Sequence, residues 1–260
     1  MDVFAKAREK FPLPQEEEER LTQVLVGSVL ATTVAAIICT IVLCCLRGED
    51  LWQAVTNGWA AAWADGLAVG WPGSAGCAIV LAALMFGIDR AAEGLAWRTG
   101  KGREEVLEVR HGLSGEIARL PLGKIAPLML GVGCAEEVGF RFAVIGVVMV
   151  VAEPVLGFAG AAIIAVIAST MVFTLMHTQY HCLYANLVVT TIGLLLGTFY
   201  VLTGMLAAVA LAHALYDFGI TAFEARRMVR DPDYFQGEAP VNAVKDEIDR
   251  QLKEREDGKD

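Results

Sequence analysis

Long apolar runs set the first limit on what this chain can fold into. Leu21–Leu46 carries no charged side chain, and it exceeds the roughly 20 residues that a helix needs to cross a bilayer. Comparable runs recur as far as Phe223. Inside a bilayer every backbone polar group must be satisfied within the protein, so runs of this length span as helices. The expectation is an all-α polytopic membrane protein with about six transmembrane helices. The composition agrees, at 55% hydrophobic residues and a mean hydropathy of +0.51, both high for a water-soluble domain.

Other classes are disfavoured. The net charge is −9, with the acidic residues gathered mostly in the two tails, and no basic patch offers a nucleic-acid footprint. The six cysteines form no CxxC pair and no secreted-type framework, and most sit in apolar runs as small reduced hydrophobes. The first twenty residues are too charged for a signal peptide.

The chain divides into four stretches. Residues 1–20 are polar, broken by Pro12 and Pro14, with an acidic run Glu16–Glu19 that reads as a solvated first turn. Residues 21–120 hold the span Leu21–Leu46, a Trp-rich segment at 51–71, a second span within Gly66–Trp97 and a polar connection over 98–120. Trp52, Trp59 and Trp63 share one helical face, which marks an interfacial segment. Residues 121–223 hold four more spans, within Lys124–Val151, Leu156–Met176, Leu183–Leu202 and Met205–Phe223, with turns at Glu153-Pro154 and Thr203-Gly204. Gly193 and Gly197 form a GxxxG helix-packing notch. Residues 224–260 are a charged tail whose end, NAVKDEIDRQLKERED, has the i,i+4 charge pairs of a surface helix.

Six spans place residues 1–20, 98–124 and 224–260 on one side, and these hold nearly all the Lys and Arg; the other side has Arg47. This bias predicts both termini in the cytoplasm, in the cell (inner) membrane of a bacterium.

Against this background the charged residues inside the spans stand out. Each costs about 2.5–3.5 kcal/mol at mid-membrane even on the lenient insertion scale, so they are functional candidates. They are Glu136, Glu137 and Arg141 in one span, His177 at the end of the next, and His213 and Asp217 in the last. Glu137 and Arg141 are four apart and can pair. Glu136 lies about 100° around the helix from that face, which leaves it free to act as a general base. His213 and Asp217 are also four apart, so the carboxyl can reach one imidazole nitrogen and set the tautomer. Phe173, four before His177, can wall the histidine's pocket. His181 reads as a boundary residue and His111 as a solvated one. On a straight helix Glu136 lies roughly 18 Å beyond Lys124, deeper than His177, and a break at Pro127 is expected to bring the two to one level.

Three short motifs carry a resemblance. EEVGFR fits EExxxR, FTLMH fits FxxxH and HALYD fits HxxxN/D, in that order and each in its own apolar span. Together they resemble the CAAX-protease and bacteriocin-processing (CPBP) family of intramembrane glutamic endopeptidases, which includes the type II CAAX prenyl proteases, over about residues 121–223. The resemblance implies that Glu136 and His177 activate a water and that His213 and Asp217 stabilise the oxyanion. Glu137 and Arg141 would be the supporting pair. Two features depart from the family pattern. Gly139 and Phe142 alter the surroundings of Arg141, and Asp217 stands where asparagine would donate most simply. Asp217 is therefore either protonated or an orienting partner for His213.

Three functions compete. The leading one is peptide-bond hydrolysis at the membrane by Glu136 and His177 with no cofactor, on a peptide or protein substrate, prenylated or leader-bearing. The second is a zinc protease with His177, His181, His213 and Glu136 as ligands, although HExxH is absent. The third is a non-catalytic membrane protein, an immunity-type or scaffold relative.

Overall fold

The computed structural model describes residues 2–50, 70–177, 182–231 and 234–235, and every element among them is a helix. The Trp-rich segment apart from Gly70 and Trp71, His181 and the tail beyond residue 235 lie outside the described residues. In chain order the helices are α1 (Val3–Lys10), α2 (Gln15–Arg47), α3 (Trp71–Ala96), α4 (Gly100–His111), α5 (Leu113–Ile117) and α6 (Leu122–Glu137). A π-helical segment, Val138–Val144, leads into α7 (Ile145–Met176), α8 (Leu183–Thr203) and α9 (Leu206–Arg230).

Local chemistry sets many of the boundaries. The Asp2 carboxylate accepts the Phe4 N–H at 3.0 Å and caps α1, while Thr99 accepts the Gly102 N–H at 3.0 Å and caps α4. Glu16, Glu17 and Glu18 occupy the first turn of α2, where the helix dipole favours them. Glu18 also pairs with Lys124 at 2.7 Å, so the acidic run is partly used to join α2 to α6. Pro72 falls in the first turn of α3, where its missing N–H costs nothing.

Five helices among the described residues are long and apolar enough to cross a bilayer. The longest, Leu122–Met176, is folded in two at Gly157, whose φ of 66° and ψ of 170° are open to glycine but not to a side-chain-bearing residue. The Ser169 hydroxyl donates to the Phe140 carbonyl at 2.8 Å, which shows the second arm running back along the first. The molecule is thus an all-α polytopic membrane protein, and the two arms of Leu122–Met176 bring the candidate passes among the described residues to six. Its lipid-facing surface carries side chains such as Leu30, Val34, Ile38, Ile163 and Leu175, all exposed.

Several sequence expectations need correcting. The turn expected at Glu153-Pro154 lies at Gly157, because proline holds φ near −65° and cannot supply the positive φ that the reversal uses. Nor does Pro127 break its helix; α6 runs through it from Leu122 to Glu137. Glu136 and His177 reach one level by another route, standing almost equally far in sequence from the Gly157 turn. The polar stretch 1–20 is not merely solvated, since α1 buries Phe4 and Ala7 in a cluster with Ile125, Met228 and Tyr234. Lys10 Nζ binds the Met228 and Asp231 carbonyls at 2.9 and 2.7 Å, satisfying the end of α9. The connection 98–120 is helical over α4 and α5, and His111 Nε2 lies 2.8 Å from the Tyr234 carbonyl instead of facing water.

Glycines allow the close helix crossings that shape the interior. A Cβ on Gly133 would lie 2.8 Å from the Ala210 carbonyl oxygen, so α6 and α9 meet backbone to backbone there. The notch read from Gly193 and Gly197 is present on α8. Gly193 packs on Thr170 and Phe173, and Gly197 on Val166.

Candidate active site

The Gly133 crossing brings the end of α6 against the middle of α9. His213 Nδ1 lies 2.7 Å from Glu137 Oε1, and the other Glu137 oxygen lies 3.0 Å from Arg141 Nε. Both members of the Glu137–Arg141 pair are fully buried. The Arg141 N–H groups aim past the carboxylate, so charge holds the pair, and the guanidinium stacks 4.7 Å over the Phe173 ring. The backbone reason is the π segment, a one-residue excess that proteins often place at functional sites. Gly139 lies within it, and a Cβ there would meet Ala36 of α2 at 3.4 Å. Phe142 is buried with Ala36, Leu43 and Leu206. The two departures from the motif pattern are therefore packing contacts to α2 and α9.

The histidines are oriented by groups that the sequence did not indicate. His177 Nδ1 donates to the Phe173 carbonyl at 2.8 Å, and its ring lies 4.5 Å from the Phe173 ring. The carbonyl can only accept, so Nδ1 carries the proton and Nε2 faces inward. For His213 the orienting group is Glu137, not Asp217 as its spacing suggested. Asp217 Oδ2 lies 3.6 Å from Nε2, beyond hydrogen-bond distance.

Four polar tips meet on the inner side. Glu136 Oε2 is 3.9 Å from His177 Nε2 and 3.8 Å from His213 Nε2, with Asp217 beside the latter. Glu136 Oε2 is buried and takes no hydrogen bond from the described residues. These residues line a cavity of about 260 Å³ that extends past Met129 and Ile220 to Val109, Ser114 and Ile117 of α4 and α5. All seven residues singled out from the sequence are therefore in one cluster, with Glu136, Phe173, His177, His213 and Asp217 on the cavity and Glu137 and Arg141 behind them. Among the described residues no group of three or more His, Cys, Asp or Glu side chains has the arrangement of a metal site.

The cavity also has a wall that sequence reading missed. Asp89, Tyr184 and Tyr216 line it. Asp89 lies in the apolar run of the second span, Tyr184 lies outside the three motifs, and Tyr216 is one of the unspecified positions inside HALYD. The available signal was an acidic residue inside an apolar run, which costs free energy unless it is partnered.

The comparisons agree with this architecture. Residues 118–219 match the family model described as Rce1-like, type II CAAX prenyl endopeptidase. This core is similar to the CAAX-protease family. The matched stretch contains Glu136, His177, His213 and Asp217, together with all of α6, α7 and α8. No curated protein and no solved structure gives a significant match. The similarity to the CAAX proteases, on a chain with helices long and apolar enough to cross a membrane, supports an intramembrane protease in general.

Proposed function

We propose that the protein is a glutamic-type intramembrane endopeptidase in which Glu136 and His177 activate the attacking water. The observation that carries this reading is the buried Glu136 Oε2, which has no hydrogen-bond donor among the described residues and faces two Nε2 atoms at 3.8 and 3.9 Å. A gap of that width is bridged naturally by a water bonded to both sides.

The steps use groups already in position. Glu136 takes a proton from the water while His177 Nε2 accepts its second hydrogen, and the oxygen attacks the scissile carbonyl carbon. The carbonyl oxygen becomes an oxyanion facing His213 and Asp217. His213 Nδ1–H is committed to Glu137, so an Nε2–H donor requires the imidazolium, with Glu137 as its counter-ion. Asp217 can donate there only when protonated. Collapse of the tetrahedral species breaks the C–N bond, and the proton held by Glu136 passes to the leaving amine. Glu137, Arg141 and Phe173 act by position, fixing His213 and His177.

The Lys and Arg bias supports a cytoplasmic location for both termini, α4 and α5. The cavity reaches α4 and α5, so substrate would enter from the cytoplasmic side. Substrates are peptides or proteins at the membrane; a prenylated C-terminus and a leader-bearing precursor are the two chemistries to compare. The test is cleavage of a farnesylated CAAX peptide and of an unmodified leader peptide by detergent-purified protein, with and without a zinc chelator. Cleavage that is unaffected by chelation and abolished by Glu136→Gln supports the reading. Chelator-sensitive cleavage would replace it with the zinc alternative.

A further inference from the structure

The hydrolytic quartet occupies one part of the cavity and leaves a second polar wall unused. Tyr184, at the start of α8, donates its hydroxyl to Asp89 Oδ1 of α3 at 2.8 Å, and Asp89 is ion-paired with its neighbour Arg90. The carboxylate is thereby balanced and the Tyr184 proton is committed. The Tyr184 oxygen keeps acceptor capacity, and the residue lines the cavity.

Tyr216 supplies the opposite capacity. It lies on α9 between His213 and Asp217 in sequence and lines the same cavity. It is within electrostatic reach of Asp89, Asp217 and Tyr184, yet its hydroxyl makes no hydrogen bond to the described residues. The wall therefore presents one phenolic oxygen able to accept and one phenolic proton able to donate. Val188, Ile192 and Ile220 line the same cavity, and an apolar setting of that kind strengthens a hydrogen bond made there.

A peptide unit carries the complementary pair, an N–H and a C=O. We infer that Tyr216 and Tyr184 form a subsite for the substrate backbone. Tyr216 donates to the carbonyl, and Tyr184 accepts from the N–H, of a peptide unit next to the scissile one. Asp89 is a positioning residue for Tyr184. The inference rests on the proposed hydrolytic site and adds to it a determinant that reads backbone, not side chain.

The test is binding of a fluorescently labelled farnesylated CAAX peptide to the full chain in detergent, followed by polarisation. Tyr216→Phe removes a hydroxyl with no protein partner, so the fold is expected to be unaffected and Kd to rise about three- to tenfold, the worth of one hydrogen bond. Replacing single amides of the peptide by esters weakens the carbonyl as an acceptor. At one peptide unit the ester effect should shrink in Tyr216→Phe, which a merely structural role would not produce. An unchanged Kd, or a loss that is uniform along the peptide, overturns the subsite. Glu136→Gln separates the two ideas. Cleavage that survives it sinks the hydrolytic mechanism, while the Tyr216 coupling, read from binding alone, stands or falls independently. A wild-type chain that binds neither this peptide nor the labelled leader peptide overturns both.

Discussion

Two clusters in this molecule are built from the same ingredients and end in opposite states. Around Glu93 on α3, Arg90, Arg110 of α4 and Arg227 of α9 converge so that both carboxylate oxygens are taken. Arg227 also reaches Glu224 at 2.9 Å, and the Tyr234 hydroxyl lies 3.0 Å from that carboxylate. The arginine planes lie on Phe223 and Trp97. At the end of α6 there are two carboxylates and one arginine. Glu137 is held by the charge of Arg141 on one oxygen and by a hydrogen bond to His213 on the other, whereas Glu136 has no charged partner so close and no hydrogen bond on its buried Oε2 from the described residues. A saturated carboxylate joins helices. An unsaturated one, buried beside two ring nitrogens, keeps its lone pairs for a ligand. The difference lies in partner count and not in residue type.

The sharpest way to break this comparison is to remove the unsaturated group. Glu136→Gln and His177→Ala should each lower cleavage by about two to four orders of magnitude, the range for losing a general base. Thermal unfolding should move little, because Glu136 holds nothing together. A large drop in the unfolding midpoint would show that Glu136 is a clamp like Glu93.

Next in size is the loss of a saturating partner. Arg141→Met leaves Glu137 buried without its counter-charge, and breaking a buried pair from one side costs about 3–5 kcal/mol. Adding Glu137→Gln should recover part of that stability but not activity, since His213 loses its carboxylate. A double variant with full cleavage would show that the pair does not orient the histidine.

How far this contrast could be read from sequence depends on the kind of information involved. The membrane class, most spans, and the charged residues worth attention were legible, because apolar run length and the cost of intramembrane charge are local properties. The pairing of Glu137 with Arg141 was legible from four-residue spacing. Partners across helices were not. That Glu137, and not Asp217, holds His213 follows from the Gly133–Ala210 crossing, a contact between residues far apart in sequence. The π segment was equally hidden, since VGFRFAV has no composition that separates it from an α-helix. The turn at Gly157 lost out to a more conspicuous Pro154, although only glycine tolerates the backbone angles used there.

The Glu93 cluster offers a milder probe. Glu93→Gln removes the charge that three arginines share and should cost about 1–3 kcal/mol, the range for hydrogen bonds to charged groups. The effect should fall as salt rises, because the arginines retain partial exposure. Cleavage at a temperature where the variant stays folded should change little. A drop as large as that of Glu136→Gln would mean that the clamp shapes the cavity and does not only join α3, α4 and α9.

The smallest expected effect concerns Asp217, the remaining acidic member of the quartet. Its carboxylate lies 3.6 Å from His213 Nε2, and Glu137 already fixes that ring from the other side. Orientation of His213 therefore does not depend on it. What Asp217 can contribute is a hydrogen toward the oxyanion, and an asparagine amide supplies one without needing a proton. Asp217→Asn should thus keep cleavage within about tenfold of wild type, a change no larger than one ordinary hydrogen bond, whereas Asp217→Leu should lose more. Should the asparagine variant fall as far as Glu136→Gln, the negative charge of Asp217 would be required. The site would then hold two working carboxylates, and the distinction between saturated and unsaturated acids would have to be redrawn to include it.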